Sequence, residues 1–115
     1  MSSDCLFCKI ANKEIKSEIV YEDDEIVAFK DINPKAPVHF LFIPKRHISS
    51  LNEIAESDAD VLGKIFLRIK EMAKKYGVDE SGYRTVLNCN KDAGQEVFHV
   101  HAHLLGGRKF TWPPG

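Results

Sequence analysis

Near its C-terminal end the sequence reads His99-Val100-His101-Ala102-His103-Leu104-Leu105, with histidines at three alternate positions. Side chains alternate between the two faces of a β-strand, so a strand would align the three imidazoles on one face, about 6.6 Å apart. A helix would scatter them around its circumference. The spacing therefore predicts a strand over residues 97–105, with Val100, Ala102 and Leu104 facing the core.

The clearest helix is predicted from about Asp58 to Tyr76, because its apolar side chains recur at helical spacing. Ser57 is a suitable N-cap, and Gly77 favours the left-handed conformation that often ends helices. A shorter amphipathic pattern predicts a helix within residues 5–14. Strands are predicted at residues 18–21, 26–29, 38–43 and 83–88, with the acidic residues 22–25 as the turn of a hairpin.

The order of these elements, α, β-β-β, α, β-β, predicts an α+β fold. We expect a five-stranded antiparallel sheet, arranged as a meander, with one long and one short helix on one of its faces. No repeat, low-complexity tract or linker interrupts the sequence, so residues 1–115 are expected to form a single domain. This length is sufficient to bury one core without disulfides.

The charge balance restricts the expected partners. Sixteen Lys and Arg against seventeen Asp and Glu leave a formal net charge of −1, so the chain has no basic field for a nucleic acid or an anionic membrane. We expect neither partner, and any phosphate must be bound by a few local groups. The N-terminus has no signal-peptide pattern, and three cysteines are too few for a disulfide scaffold. The sequence therefore predicts a cytoplasmic protein with reduced or metal-bound thiols.

Three aligned imidazoles are suited to metal binding or to acid–base and nucleophilic catalysis near neutral pH. A neutral histidine can attack phosphorus, while a second one stabilises the phosphate or protonates the leaving group. The alternative is a solvated sheet face, although such faces usually carry Thr, Lys, Glu or Ser. The histidine spacing therefore favours a functional site.

Polar residues close to this segment fit phosphate chemistry. The turn Gly94-Gln95-Glu96 can direct backbone N–H groups at an anion, and Asn88 offers an amide donor. His39, within the apolar strand at 38–43, either reaches the same site or is a half-buried histidine satisfied locally. Together these groups are candidates for holding one phosphate.

The histidine segment resembles the His-φ-His-φ-His-φ-φ signature of the histidine-triad (HIT) superfamily, in which φ is an apolar residue. Further segments, at 29–32, 36–41, 43–49, 94–95 and in the tail Trp112-Pro113-Pro114-Gly115, resemble its nucleotide-binding branch over essentially the whole chain. The resemblance implies a purine nucleoside phosphoramidase. Such an enzyme hydrolyses P–N bonds of the AMP-lysine or AMP–NH2 type through a covalent nucleotidyl-histidine intermediate.

By this resemblance His101 is the nucleophile, His103 contacts the phosphate, and His99 and His39 support the hydrogen-bond network. Asp31 matches the ribose-binding carboxylate. The α-phosphate positions are matched by Asn88, Gly94, Gln95 and Glu96, and the purine slot by Leu6, Phe7, Ile10, Phe29 and Ile32.

Two parts of this assignment have alternatives. Leu6 and Ile10 are explained equally well by plain core packing. Glu96 stands where several family members carry Ser, and a carboxylate repels phosphate, so we expect only its backbone N–H to point inward. The loss of the hydroxyl donor is expected to affect either the rate or the preference for the leaving group.

Cys5 and Cys8 are spaced so that a helix would place both sulfurs on one side. The pair alone is a weak zinc signal, and two small buried thiols are the alternative; a thioredoxin-like role would need a βαβ context, which is absent. Some relatives combine this pair with two histidines, which here would be His47 and His99. The resemblance thus implies a structural zinc and no cofactor required for catalysis. A zinc-bound His99 could not also transfer protons, so its supporting role would be to position its neighbours.

The resemblance also implies a homodimer with a continuous ten-stranded sheet, in which the tail 106–115 reaches the partner's site. Other functions remain open at this point. One is hydrolysis of dinucleoside polyphosphates or nucleotidyl transfer by the same attack on an α-phosphate. Another is a nucleotide-binding scaffold with incidental activity, and a third is a plain zinc-binding interaction module.

Overall fold

The computed structural model, which describes residues 4–115, has a five-stranded antiparallel sheet with a helix against each face. This confirms the predicted α+β class with one long and one short helix. The interpretation of Met1–Ser3 as lacking a signal peptide lies outside the described residues. The elements are α1 (Leu6–Ala11), β1 (Ile19–Glu22), β2 (Ile26–Lys30), β3 (Val38–Pro44), α2 (Ala59–Lys75), β4 (Tyr83–Val86) and β5 (Ala102–Gly106), with short 3-10 turns at Leu51–Glu53 and Glu56–Asp58.

The strand order is β1-β2-β3-β5-β4, so the predicted meander is wrong in its second half. β5 inserts between β3 and β4 and pairs antiparallel with both, placing His103 opposite Leu41 on one side and Val86 on the other. The connection through α2 carries the chain past the edge of β3, which leaves that edge free for β5. The last strand is therefore an interior strand of the sheet.

The two helices cover opposite faces of the sheet, which corrects the expectation that both share one face. Ile26 and Ala28 pack in the same core as Ile65 and Ile69 of α2. Val27 and Phe29, which point to the other face, pack with Phe7 and Ile10 of α1. β2 is apolar at both sets of alternate positions because each face has its own cover.

The long helix α2 begins one residue later than predicted and is not capped by Ser57, which lies in the preceding turn. Asp58 is the N-cap residue, and its carboxylate accepts a hydrogen bond from the backbone N–H of Ala55 (2.8 Å) and pairs with Arg46. Gly77, with a φ of +76°, follows the helix as predicted. None of the helices in residues 4–115 is long and apolar enough to cross a membrane.

The predicted strand at 97–105 is too long, because β5 begins only at Ala102. Residues 99–101 instead lie alongside the loop that comes after β3, and the N–H of Val100 donates to the carbonyl of Ile48 in that loop (2.7 Å). Of the three alternate histidines, His103 alone lies in the regular strand. His99 and His101 are oriented by hydrogen bonds of their rings to backbone carbonyls.

Candidate functional site

A cavity of about 450 Å³ opens between α1, the C-terminal end of β2 and the histidine segment. The structure brings most of the predicted site residues to its walls. From the predicted nucleotide and catalytic sets these are Leu6, Phe7, Ile10, Phe29, Asp31, Ile32, Asn88, Gly94, Glu96, His101 and His103. The remaining members, His39, His99 and Gln95, lie behind the wall.

His101 is fixed in one tautomer by its own backbone. Its Nδ1 lies 2.7 Å from the carbonyl oxygen of His99, and a carbonyl only accepts, so Nδ1 carries the proton. Burial lowers the pKa of His101, which favours the neutral ring. Its Nε2 is then unprotonated and has no partner within residues 4–115, so a lone pair is available to a bound substrate.

His39 and His103 form a directed hydrogen-bond chain. The backbone N–H of Lys35 donates to His39 Nδ1 (3.0 Å), so His39 carries its proton on Nε2. That Nε2 donates to His103 Nδ1 (2.9 Å), which leaves the proton of a neutral His103 on Nε2. Burial, together with His101 and His39, lowers the pKa of His103 to about 4. His103 therefore presents an N–H donor beside the ring of His101, 5.1 Å away between centroids.

Asp31 lies behind this chain rather than in open solvent. Its Oδ2 is 3.4 Å from His39 Nε2, and its Oδ1 accepts a hydrogen bond from the N–H of Asn33 (2.8 Å). The carboxylate can therefore support His39 as well as face the cavity, a contact that the sequence pattern alone did not predict.

His99 is separated from the other two histidines of the triad. It is completely buried, and its Nε2 donates to the carbonyl of Pro44 (2.7 Å). The unprotonated Nδ1 faces the sulfurs of Cys5 (3.3 Å) and Cys8 (3.5 Å). The structure thus groups His99 with the thiols and not with the cavity.

Four potential ligand atoms, from Cys5, Cys8, His47 and His99, lie within 4.8 Å of one another. The N-terminal turn of α1 brings the sulfurs together, since the N–H of Cys8 donates to Cys5 Sγ (3.3 Å). Burial raises the pKa of the Cys8 thiol to about 11, so the thiolate is unfavourable without a partner. A bound divalent cation would stabilise the thiolate. Two sulfurs and two imidazoles fit a borderline-soft ion such as zinc, and His99 is oriented for it because its other ring nitrogen donates to a carbonyl.

A second group, formed by Asp31, His39 and His103, also has ligand atoms within 4.8 Å of one another. It fits a metal poorly. Because His39 Nδ1 accepts the N–H of Lys35, the proton lies on Nε2, the atom a metal would have to bind. The tautomers therefore differ between the two groups. His39 and His103 form a chain of N–H donors, whereas His99 presents an unprotonated nitrogen to the thiols.

The turn at 94–96 differs from its predicted form. The N–H groups of Gly94 and Gln95 already donate within the loop, to Lys91 (2.9 Å) and Asn90 (3.0 Å). The Gln95 amide is buried, accepts from the N–H of Asn90 (2.8 Å) and donates to the carbonyl of Ser49 (2.9 Å). Gln95 thus braces the loop and is not among the residues that line the cavity. In the part of the chain described, the N–H of Glu96 is the one of the three without an acceptor.

The apolar end of the cavity is a slot with one exposed rim. Phe7 and Phe29 meet edge to face with centroids 5.3 Å apart, and Ile10 is buried beside them. Leu6 is 43% exposed and Ile32 is 91% exposed. An exposed pair of aliphatic side chains at the mouth of an apolar slot is suited to a flat aromatic ligand.

This sheet topology, with a His-φ-His-φ-His segment beside an apolar slot and the turn at 94–96, defines the histidine-triad class of proteins. The chain belongs to the HIT family. The family described as "Scavenger mRNA decapping enzyme C-term binding" matches residues 4–110.

Individual relatives cover almost the entire chain. A HIT family hydrolase from Legionella pneumophila superposes with a TM-score of 0.96 at 53% identity, covering 97% of this chain and 100% of its own. A histidine triad nucleotide-binding protein from Candida albicans superposes with a TM-score of 0.82 at 35% identity, covering 96% and 83%. A "14 kDa zinc-binding protein" of Brassica juncea is 46% identical over 97% of this chain and 100% of its own length.

Proposed function

We propose that this chain is a nucleotidyl hydrolase that cleaves the P–N bond of purine nucleoside phosphoramidates. The observation that carries the proposal is the pair of complementary tautomers at the cavity: an unprotonated Nε2 on His101 beside an Nε2–H on His103. The similarity to a HIT family hydrolase and to a histidine triad nucleotide-binding protein supports both the reaction type and the ligand.

The reaction proceeds in two steps. His101 Nε2 attacks phosphorus and forms an N–P bond while the bond to the leaving nitrogen breaks. The Nε2–H of the neutral His103 donates a hydrogen bond to that nitrogen as negative charge develops on it, and the nitrogen departs as the amine with a proton taken from solvent. Water then attacks the same phosphorus, gives a proton back to solvent, and releases His101 with its lone pair. The hydrogen-bond donor matters because an amide anion is a very poor leaving group.

The cavity supplies the binding contacts for such a substrate. The purine lies in the slot between Phe7, Phe29 and the aliphatic rim, and Asp31 accepts from the ribose. Asn88 and the free N–H of Glu96 hold the α-phosphate. This set of contacts requires no basic surface, in agreement with the net charge of −1.

The test is hydrolysis of adenosine 5'-phosphoramidate by the wild type and by His101→Ala. We expect turnover by the wild type and a loss of at least about 1000-fold in kcat for the variant. Acid-labile AMP bound to His101 after quenching would identify the intermediate. Turnover of diadenosine polyphosphate alone would favour the alternative hydrolase, and tight AMP binding without turnover of either would favour a scaffold.

A zinc ion at Cys5, Cys8, His47 and His99 is part of the proposal, supported by the donor set and by the zinc-binding relative. When bound, it would supply a structural cross-link and no chemistry on the phosphate. The protein's own contribution is to orient His99 through Pro44 and to hold α1 against the sheet.

The homodimer also remains a proposal. β4 lies at an edge of the sheet, and α2 exposes Phe66 (47%) and Leu67 (49%) to solvent. Trp112 in the tail is 81% exposed. These surfaces are available to a second copy, and light scattering of the purified protein would give the mass directly.

A further inference from the structure

Glu96 carries one of two carboxylates that line the catalytic cavity, and the two are in different situations. Asp31 accepts a hydrogen bond from Asn33 and lies near His39. The Glu96 side chain is exposed and has neither a hydrogen bond nor an ion pair within residues 4–115. No direct partner therefore neutralises its negative charge at the wall of a site that must accept an anion.

The position of Glu96 connects the catalytic cavity with a neighbouring one of about 380 Å³. Leu6, Glu96 and Val97 line both. The second cavity is also lined by Asp4, Cys5, His47, Ser49 and Phe98, and no Lys or Arg of the described chain lines it. Two lysines line the catalytic cavity, Lys16 and Lys30, and Lys30 is already paired with Glu18 (2.6 Å). Neither lysine lines the second cavity.

A carboxylate without a direct partner next to a phosphate site acts in opposite ways on the two ends of a substrate. The backbone N–H proposed to hold the phosphate belongs to Glu96 itself, so the carboxylate lies near the phosphate of every substrate and repels it. It attracts a leaving group that carries a cation of its own. The net effect depends on the leaving amine, so the residue discriminates between substrates.

We infer that Glu96 makes this enzyme selective for phosphoramidates whose leaving amine bears a second, positively charged group, as a lysine-type or diamine-type leaving group does. The inference rests on the proposed function and deepens it by naming the class of leaving group. The cation would extend from the phosphorus toward the cavity shared through Glu96 and Val97.

The experiment compares two adenosine 5'-phosphoramidates of equal length, one with an aminoethyl group on the leaving nitrogen and one with a hydroxyethyl group. At low salt the wild type should prefer the cationic substrate by about three- to fivefold in kcat/KM, the range of an exposed ion pair. High salt should shrink this ratio. Glu96→Gln should bring it close to one, by slowing the cationic substrate and accelerating the neutral one.

Glu80→Gln is the matched control, because Glu80 is exposed, lies outside both cavities and changes the net charge equally. It should keep the wild-type ratio. A wild type that hydrolyses both substrates without preference, or a Glu96→Gln variant that retains the preference, overturns this inference and leaves the proposed function intact. A wild type that hydrolyses neither overturns the proposed function, and the inference with it.

Discussion

The ring of Phe7 stands edge-on against the ring of His101, with centroids 5.0 Å apart and an interplanar angle of 88°. The same ring meets His99 at 6.1 Å. Phe7 lies in the sequence between Cys5 and Cys8, two members of the Cys5, Cys8, His47 and His99 group, and it lines the cavity. The position of this one side chain therefore connects that group to the proposed nucleophile and to the apolar slot.

Removing a metal ion bound at Cys5 and Cys8 should weaken nucleotide binding. The helix α1 forms one wall of the slot, and because it has only six residues, it depends on contacts such as these ligands to keep its position. We expect AMP to bind about fivefold or more weakly to chelator-treated protein than to zinc-loaded protein, and AMP to raise zinc affinity by the same factor. Calorimetric titrations measure both. Cys8→Ser should behave like the chelated protein, whereas Cys89→Ser should keep its zinc. Equal AMP affinities with and without metal would contradict the coupling.

His39 is expected to act on the reaction by holding the tautomer of His103. His39→Leu removes the Nε2–H donor, so kcat for an alkylamine phosphoramidate should fall roughly 10-fold or more, with a smaller change in AMP affinity. His39→Gln, whose amide can donate in its place, should recover part of the loss. A nitroaniline leaving group needs less protonation and should be less affected. Equal losses for both leaving groups would point to a purely structural role.

The hairpin between β1 and β2 should contribute a pH-dependent part of the stability. Burial alone would raise the pKa of Asp23, but hydrogen bonds from the Tyr21 hydroxyl and from the N–H groups of Glu25 and Ile26 outweigh it and lower the pKa. A carboxylate with a lowered folded-state pKa stabilises the protein above the ordinary Asp value of about 3.9, and this contribution disappears as the pH falls through the folded-state value.

Asp23→Asn should accordingly lower the free energy of unfolding by about 1 kcal/mol at pH 7, with the difference from the wild type shrinking as the pH falls below the ordinary Asp value of about 3.9. Urea denaturation between pH 7 and pH 3 measures it. Asp24→Asn, at the exposed next position of the same turn, should stay within about 0.5 kcal/mol of the wild type. A constant difference across this pH range would exclude the charge as its origin.

Deleting residues 112–115 should change substrate preference more than stability. Trp112 is 81% exposed, so the truncated chain loses few contacts of its own. If the tail reaches the site of a second copy, the ratio of kcat/KM values for bulky and small leaving amines should shift while Tm moves by only a few degrees. An unchanged ratio would remove the tail from the site.

Periodicity was sufficient to predict α2, the buried strands and the proximity of His103 to the turn at 94–96. Periodicity was insufficient to show that α1 and α2 lie on opposite faces of the sheet. The unbroken apolar run Ile26-Val27-Ala28-Phe29 already indicates a strand covered on both faces. Periodicity alone did not divide the triad, whereas the family resemblance already grouped His99 with Cys5 and Cys8; the structure adds the carbonyl of Pro44, which fixes the ring of His99. Backbone acceptors of this kind have no signature in residue type.

The interior position of β5 has a kinetic consequence. Phe40 pairs with Leu104, 64 positions later in the chain, and β4 has no sheet partner in the described structure until β5 is in place. Such non-local pairing slows folding, since a long loop must close before its contacts contribute. It also brings His103 beside His39 in the same event. Nucleotide binding should therefore emerge with the final folding phase, which makes AMP a reporter of completed molecules rather than of partly assembled ones.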